Sequence, residues 1–220
     1  MTLQRTWEPC AADTLDEARN YEAFDHSEDV RLFVDDLLAL EGVRGDILDL
    51  GTRTALLPIE ICRRLDDCRV MAVDASTYML DLARLNIEIA GLIDRITLDY
   101  VDASQLPHPD QYFDIVLSSG IMHRIADPIA VLQGVVRVIR PGGLLFIRDW
   151  TRPDSEEAVQ RLVDSYASDT NEQQRGLVVR SLRAALTLHE MRDIVQQLGF
   201  DSQTVQATSD RQWTWTARRP

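Results

Sequence analysis

The chain has 220 residues and a formal net charge of -13, and its 23 basic residues are all arginines, since the sequence contains no lysine. A hydrophobic fraction of 45% suits one domain with a substantial core. The negative charge would repel a phosphate backbone, so we expect no nucleic-acid substrate.

Cysteines and the amino terminus indicate a reducing compartment. Cys10, Cys62 and Cys68 match no zinc-binding spacing, and an odd number of cysteines makes a poor disulfide framework. The first residues, MTLQRTWEPCAADTLDEA, contain no apolar stretch typical of a signal peptide. No apolar run approaches the roughly 18 residues needed to span a bilayer. We therefore expect free thiols, no membrane span and a cytoplasmic location.

Along the chain, helical and apolar segments alternate. Residues 13–41 are predicted to be helical, with Ser27 as a possible helix cap in front of an apolar face. Five buried strands are then predicted at 46–51, 69–74, 95–102, 113–119 and 144–150. Helices are predicted between them at 55–65, 76–91 and 128–139, and a turn, RPGG, at 140–143. Such alternation is typical of a parallel sheet covered by helices on both faces.

The pattern changes after Trp150. Residues 155–185 are polar and helical, and Thr187 and Glu190 form a capping box in front of a helix at 188–199. Residues 201–208 and 211–219 alternate with a period of two, which predicts a closing antiparallel pair.

Polar residues lie where the predicted parallel strands end, which is the edge where open sheets of this type bind ligands. Asp49 and Gly51 end the first strand, Asp74 the second, Asp102 the third and Ser118 the fourth. A carboxylate about 20 residues beyond the first loop can accept two ribose hydroxyls, which fits Asp74. Asp102 could accept from an adenine amino group or cap a helix.

The segments DLGTRTA, VMAVDAS, DYVDASQLPHPDQYFDIVLSSGIMHRI and VIRPGGLLFIRDW follow one another in an informative order. This series resembles the motifs of class I S-adenosylmethionine-dependent methyltransferases, in particular the small-molecule enzymes of ubiquinone and menaquinone biosynthesis. The resemblance implies a Rossmann-like α/β fold with a seven-stranded, mostly parallel sheet whose last strand is antiparallel. It also implies S-adenosyl-L-methionine as cofactor, S-adenosyl-L-homocysteine as product and a small-molecule methyl acceptor.

The resemblance assigns roles to individual positions. The methionine end of the cofactor would be held by Asp49, Gly51, Thr52, Arg53 and backbone groups at Ser118. The ribose and adenine would be bound by Asp74, Ala75, Met79, Asp102 and Ala103. Residues 1–45 would form a helical lid over a core at 46–220, and an insert at about 153–186 would shape the acceptor pocket with Tyr21, Arg148 and Tyr166. A homodimer is a further expectation.

Arg53 departs from the family pattern, which has glycine there. Glycine allows unusual dihedral angles and a close approach of ligand to backbone. The arginine side chain could turn outward or pair with the methionyl carboxylate, leaving the backbone in place. Alternatively, it could fill the methionine pocket and abolish binding, which would make the chain a non-catalytic binding or regulatory protein.

Methyl transfer needs a general base only when the acceptor must lose a proton. The candidates are His123, His26 and Asp149, although Asp149 could instead pair with its neighbour Arg148. A nicotinamide-dependent oxidoreductase is disfavoured, because the fingerprint G-x-G-x-x-G would need glycine at Arg53 and Leu56. No cluster of histidine, cysteine or carboxylate has metal-ligand spacing, so no metal site is predicted.

Overall fold

The computed structural model describes residues 3–7, 14–168 and 170–220, without the side chain of Glu17. Cys10 and its predicted thiol lie outside these residues. Seven strands form one sheet in the order β3-β2-β1-β4-β5-β7-β6. Their bounds are β1 Gly45–Leu50, β2 Cys68–Asp74, β3 Ile96–Tyr100, β4 Phe113–Ser119, β5 Ile139–Trp150, β6 Val205–Ala207 and β7 Gln212–Arg218.

The directions of the strands confirm the predicted sheet. β1 to β5 are parallel to one another, whereas β7 is antiparallel to both β5 and β6. The chain leaves β1 towards β2 and β3 on one side and later adds β4 and β5 on the other. The strand order therefore reverses between β1 and β4, and the crevice outside their carboxyl ends is where such a sheet binds ligands.

Eight helices accompany the sheet in the part of the chain that the structure describes. Their bounds are α1 Leu15–Glu22, α2 Ser27–Leu38, α3 Leu56–Arg64, α4 Thr77–Ala90, α5 Pro128–Val138, α6 Glu156–Tyr166, α7 Glu172–Ala184 and α8 Leu188–Gln197. Alternate residues of β1 enter different cores, because successive side chains of a strand point to opposite faces. Ile47 belongs to the core beneath α2, α3 and α4, and Leu48 to the core beneath α5 and α8.

Most of the segment 14–41 is helical, as predicted, but the position of the cap is wrong. The segment forms two helices, α1 and α2, separated at residues 23–26. Ser27 is the first residue of α2 and not its cap, which is His26. The backbone N–H of Ser27 donates instead to the carboxylate of Asp25 at 2.9 Å, a local hydrogen bond that favours a turn over continued helix.

Two other boundaries differ from the sequence prediction. The predicted turn at 140–143 lies inside β5, which already begins at Ile139, and the register against β4 shifts between Phe113 and Ile115. In the carboxy-terminal pair, residues 202–204 form a short 3-10 turn, so that β6 is only three residues long. The capping box of α8 is confirmed, since the Thr187 hydroxyl and the Glu190 carboxylate each accept from the other's backbone N–H.

The helical segment between β5 and α8 consists of α6 and α7, which pack on each other around Val159, Val163 and Leu182. The short segment 3–7 lies against it, where the backbone N–H of Thr6 donates to Arg183 O at 3.1 Å. In the described residues, no helix is long and apolar enough to cross a membrane.

Candidate functional site

A pocket opens at the carboxyl ends of β1 and β4, where the strand order reverses. Seven residues that the sequence predicted for the site line it: Tyr21, His26, Arg53, Met79, His123, Asp149 and Tyr166. Another nine do not line it: Asp49, Gly51, Thr52, Asp74, Ala75, Asp102, Ala103, Ser118 and Arg148. All three predicted catalytic residues and two of the three predicted acceptor residues thus line the pocket, whereas eight of the ten predicted cofactor residues do not.

The loop after β1 adopts left-handed backbone conformations at three positions. The φ angles are +79° at Gly51, +52° at Arg53 and +62° at Ala55. A side chain at Gly51 would place its Cβ only 2.1 Å from Cγ2 of Ile121, in the loop after β4. The positive φ angle and the close packing both require glycine at 51. Arg53, in contrast, is a non-glycine residue in a strained left-handed conformation that is usually found at glycine.

Arg53 directs its guanidinium into the pocket and not outward. The guanidinium donates to the carbonyl of Gly120 and, at 3.3 Å, to the hydroxyl of Tyr21 on α1. It also lies over the Tyr21 ring, 5.0 Å from the centroid. The outward orientation considered for Arg53 is therefore wrong, and the side chain joins the first loop, the loop after β4 and the amino-terminal helix.

Asp74 stabilises the strained loop. One of its carboxylate oxygens accepts from the backbone N–H of Arg53 at 2.8 Å, and the other accepts from the backbone N–H of Ser76 at 2.9 Å. Each carboxylate oxygen can accept a second hydrogen bond. Asp74 is only half-buried at the end of β2, so these bonds orient the carboxylate and leave acceptor capacity for a ligand hydroxyl.

Asp49 is a carboxyl group inside the protein, with 1% of its surface exposed. By geometry, neither its Oδ2 nor the buried hydroxyl of Thr52 makes a hydrogen bond, although Thr52 lies close enough to Asp49 to lower the pKa of the carboxyl group. Burial raises the pKa of Asp49 to about 7, and the charge of Asp74 adds to this rise. Near neutral pH the group is therefore poised between its protonated and ionised forms.

This pKa predicts a pH dependence of stability. The folded-state pKa of Asp49, about 7, exceeds the ordinary pKa of an aspartate, 3.8, which applies to the unfolded chain. Between these values the folded chain binds more protons than the unfolded chain, so the stabilising contribution is complete below pH 3.8 and is lost as the pH rises towards 7. At about 1.4 kcal/mol per pH unit the loss amounts to at most roughly 4 kcal/mol.

Asp49→Asn removes this titration. Urea unfolding at a series of pH values from 4 to 8 should show the variant gaining stability relative to the natural chain as the pH rises, with no further gain above pH 7. Asp94→Asn, at an exposed position, is the control and should give a difference that does not change in this way. A constant difference for Asp49→Asn would contradict the raised pKa.

Neither Asp102 nor Ser118 lines the pocket, and their roles in binding the cofactor stay predictions. Asp102 is exposed and caps a 3-10 turn, accepting from the backbone N–H of Ser104 at 2.8 Å. Ser118 is buried, and its hydroxyl donates to Leu50 O at 2.9 Å, which ties β4 to β1. The β4 end instead presents Ser119 and Gly120 to the pocket, one and two residues later than predicted.

His123 and Asp149 form a buried pair on the wall of the pocket. The Nδ1 atom of His123 lies 2.8 Å from Asp149 Oδ1. Two backbone N–H groups fix the carboxylate, that of Met122 at 2.5 Å and that of Trp150 at 2.6 Å. An acceptor carboxylate at Nδ1 requires the hydrogen there, which leaves Nε2 as the basic atom. Burial lowers the pKa of His123, against the opposing effect of Asp149, so the ring is neutral at pH 7.

Arg148 does not pair with Asp149 and does not line the pocket. The predicted ion pair with Asp149 and the predicted place in the acceptor pocket are therefore both wrong. Because side chains alternate along β5, Arg148 points to the opposite face from Asp149. There its guanidinium pairs with Asp36 of α2 at 2.5 Å, donates to the hydroxyl of Thr214 at 2.9 Å and lies 5.5 Å from the Phe33 ring centroid. Arg148 therefore attaches α2 to the sheet.

Aromatic side chains form the outer part of the pocket. Arg211 lies over the Tyr166 ring at 3.9 Å and pairs with Asp29 at 2.7 Å. The same guanidinium is 5.3 Å from the ring centroid of Trp150. The Tyr166 hydroxyl donates to Asp210 at 2.8 Å. These contacts hold the carboxy-terminal hairpin, the helical insert and α2 together around an aromatic opening.

His26 lines the pocket from the segment between α1 and α2. Its ring stacks on Tyr21 at 4.0 Å, and Nε2 lies 3.0 Å from the Tyr21 carbonyl, to which a ring N–H at this atom donates. Burial, together with the charge of Arg53, lowers the pKa of His26 to about 4. His26 is therefore neutral at pH 7 and fixes the break between α1 and α2, which leaves His123 as the better placed base.

Sequence reasoning missed several lining residues, because they come from different segments that only the fold brings together. They include Asn20, Phe24, Leu57, Gly120, Trp150 and Arg211. Trp150 follows Asp149 directly and could have been proposed from its position at the end of a strand. Within the described ranges, no group of three histidine, cysteine or acidic side chains is arranged to hold a metal ion.

The strand order, the crevice between β1 and β4 and the antiparallel β7 define the class I methyltransferase fold. A putative S-adenosyl-L-methionine-dependent methyltransferase of Methanococcus maripaludis shares this fold with a TM-score of 0.72, at 17% identity, over 98% of each chain. Residues 48–147 match the methyltransferase domain family. The chain is thus similar to class I S-adenosylmethionine-dependent methyltransferases, and among them it resembles the ubiquinone/menaquinone-biosynthesis type.

Two relatives carry the name ubiquinone/menaquinone biosynthesis C-methyltransferase. The protein of Vibrio parahaemolyticus is 30% identical over 122 residues, which is 55% of this chain and 47% of the relative. The protein of Vibrio vulnificus is 25% identical over 167 residues, 71% of this chain and 64% of the relative. The matches thus span about half to two thirds of the length of these relatives.

Proposed function

We propose that the chain transfers a methyl group from S-adenosyl-L-methionine to a small acceptor that loses a proton at the reacting atom. The observation that carries this proposal is the His123–Asp149 pair, buried on the wall of the pocket that opens at the strand reversal. A neutral imidazole with one nitrogen committed to a carboxylate is the arrangement that general base catalysis uses.

The residues around the first loop fit the cofactor. Asp49 Oδ2 and the Thr52 hydroxyl are buried without partners, as expected of groups that await a polar ligand. Asp49, Gly51, Thr52 and Arg53 would hold the methionine end, together with the Gly120 carbonyl in place of Ser118. The remaining predicted contacts would hold the adenosine: Asp74, Ala75, Met79, Asp102 and Ala103.

When bound, the cofactor supplies an electrophilic methyl group on a sulfonium sulfur. Within the protein, Asp149 holds the imidazole of His123, and Nε2 accepts the proton that leaves the acceptor oxygen or carbon as its bond to the methyl group forms. Asp149 also stabilises the imidazolium that results. The apolar and aromatic walls exclude water from the reacting atoms, which methyl transfer requires more than acid–base chemistry.

The walls also suggest the acceptor. Phe24, Phe33, Trp150 and Tyr166 line the pocket, so a largely apolar, planar acceptor is favoured over a sugar or a peptide. Its reacting atom would carry an acidic proton, as in a phenol or in the ring carbon of an electron-rich phenol. The relatives' name, C-methyltransferase, agrees with the second of these.

The predicted domain roles belong to this proposal. Tyr21, Phe24 and His26 reach the pocket from the amino-terminal helices, which supports a lid over the site. Tyr166, Gln174 and Val178 reach it from the insert, which supports a role in the acceptor pocket. The cytoplasmic location and the homodimer stay predictions.

Transfer of a tritiated methyl group tests the proposal. The protein is incubated with labelled S-adenosyl-L-methionine and a panel of phenols, hydroquinones and 1,3-dicarbonyl compounds. We expect labelled product from at least one class, with an equal amount of S-adenosyl-L-homocysteine. If the protein bound the cofactor but formed neither labelled product nor S-adenosyl-L-homocysteine with any compound of the panel, the alternative of a non-catalytic binding protein would be favoured.

A further inference from the structure

We infer that Arg53 is a displaceable cation that makes the pocket selective for ligands with a free α-amino-acid tail. In the structure its guanidinium donates a hydrogen bond to the Gly120 carbonyl. On this inference, the ammonium group of the ligand takes over that carbonyl, and the carboxylate of the same tail pairs with the released guanidinium. The inference rests on the proposed function, since that function supplies the ligand with such a tail.

Among the described residues, no carboxylate forms a direct ion pair with the Arg53 guanidinium, although Asp149 and Asp74 raise its pKa from a longer distance. Three other arginines with little exposure each pair with a carboxylate: Arg148 with Asp36, Arg152 with Glu190 and Arg211 with Asp29. Arg53 has only a carbonyl, a hydroxyl and the face of an aromatic ring. A desolvated cation without a directly paired carboxylate is unfavourable, so the guanidinium favours an incoming anion.

The Gly120 carbonyl is a fixed acceptor that favours a positively charged N–H donor. The backbone N–H of Gly120 donates to Arg148 O at 2.9 Å, so the peptide is fixed at the end of β4 and its carbonyl faces Arg53. A side chain at Gly120 would meet the guanidinium at 2.8 Å, which shows how closely the two segments approach. An ammonium group has the charge and the N–H donors of the guanidinium it would replace.

The exchange requires only rotation of one side chain. The backbone of Arg53 is anchored by its N–H bond to Asp74, so the loop can keep its shape while the guanidinium moves. The guanidinium is attached through a flexible stem and held by neutral acceptors, whereas a carboxylate can bind it with two parallel, charge-assisted hydrogen bonds. Tyr21, on α1, lies beside it, so ligand binding would also reach the amino-terminal helix.

Calorimetry with three adenosyl ligands tests the inference. S-adenosyl-L-homocysteine has the whole tail, its decarboxylated analogue lacks only the carboxylate, and 5′-methylthioadenosine lacks the tail. A charge-assisted pair contributes about 1.5–3 kcal/mol, so the natural chain should prefer the first ligand to the second by about 10–150-fold. In Arg53→Met this preference should fall below about threefold, because methionine keeps the side-chain bulk without the charge.

Arg175→Met is the matched control, since Arg175 pairs with Asp164 and does not line the pocket. It should keep the preference of the natural chain. Equal tightening of both tailed ligands in Arg53→Met would overturn the inference, because Arg53 would then merely obstruct the pocket. An unchanged preference would overturn it too.

Failure of the proposed function would look different. If none of the three ligands bound to the natural chain or to Arg53→Met, the proposed function itself would be wrong, and the inference with it. If the preference behaved as expected but no acceptor were methylated, the inference about the tail would stand and the transfer reaction would not.

Discussion

Replacing His123 with asparagine is expected to lower kcat by about 10²–10⁴-fold, the usual contribution of a positioned general base. Asparagine keeps a polar side chain of smaller volume near Asp149 but has no atom that can accept a proton at neutral pH. Affinity for S-adenosyl-L-homocysteine should change by less than about threefold, because no base is needed to bind the product. Transfer of a labelled methyl group and calorimetry measure the two quantities.

The pH profile separates a base from a structural residue. In the natural chain kcat/KM should rise with pH through the lowered pKa of His123 and then level off, since only the neutral imidazole accepts a proton. The variant should lose this rise. His189→Asn, which changes an exposed histidine on α8, is the control and should retain both rate and profile.

Asp149→Asn tests the positioning half of the pair. The amide leaves no ionised acceptor for His123 Nδ1, so the ring loses its preferred tautomer, and kcat should fall although the imidazole remains. The pH-dependent rise should shift to lower pH, because the carboxylate is the group that raises the pKa of His123 against burial. If the rate and the profile of both variants matched those of the natural chain, the assignment of His123 as base would be refuted.

The order of elements could be predicted from the sequence because it depends on periodicity. Buried parallel strands are continuous apolar runs, and the helices between them carry one apolar face, so each element has a local signature. The boundaries depend on local competition. Serine is a common helix cap, but the backbone N–H of Ser27 donates to Asp25, and Ser27 becomes the first residue of α2 instead of its cap.

The position of a candidate residue was predictable where it follows from the order of strands and loops: Asp74 ends β2, and His123 lies in the loop after β4. It was not predictable where two segments distant in the chain decide the role. The face of β5 that carries Arg148 is covered by α2, so Asp36 becomes its partner 112 residues away. Nothing near Arg148 in the sequence indicates this, and its neighbour Asp149 was the obvious but wrong choice.

The orientation of the Arg53 side chain could not be predicted from the sequence either. The motif predicts glycine at this position, and the sequence alone leaves open where an arginine side chain would go. The structure orients it through Tyr21 and Gly120, which flank it from α1 and from the end of β4. The backbone keeps the left-handed conformation of the motif, with φ at +52°, because the Asp74 carboxylate holds its N–H.

Gly51→Ala is expected to destabilise the protein by about 2–5 kcal/mol, the sum of left-handed strain and of overpacking in a filled site. The φ angle is +79°, and the new Cβ would meet Ile121 Cγ2 at 2.1 Å. Ile121 is buried, and its β-branched side chain has few alternative rotamers, so the clash must move backbone. For a chain of this size the melting temperature should fall by about 5–15 °C.

Gly91→Ala isolates the effect of packing from that of the backbone. Gly91 ends α4 with a φ angle of +70°, close to that of Gly51, but a Cβ there would meet nothing within 4 Å. Its alanine variant should lose only the strain component, about 1–2 kcal/mol. The excess loss in Gly51→Ala then measures how tightly the loop after β4 closes on the loop after β1. Equal losses in thermal unfolding would mean that Ile121 moves aside freely, and that the crevice is looser than the contact between these loops implies.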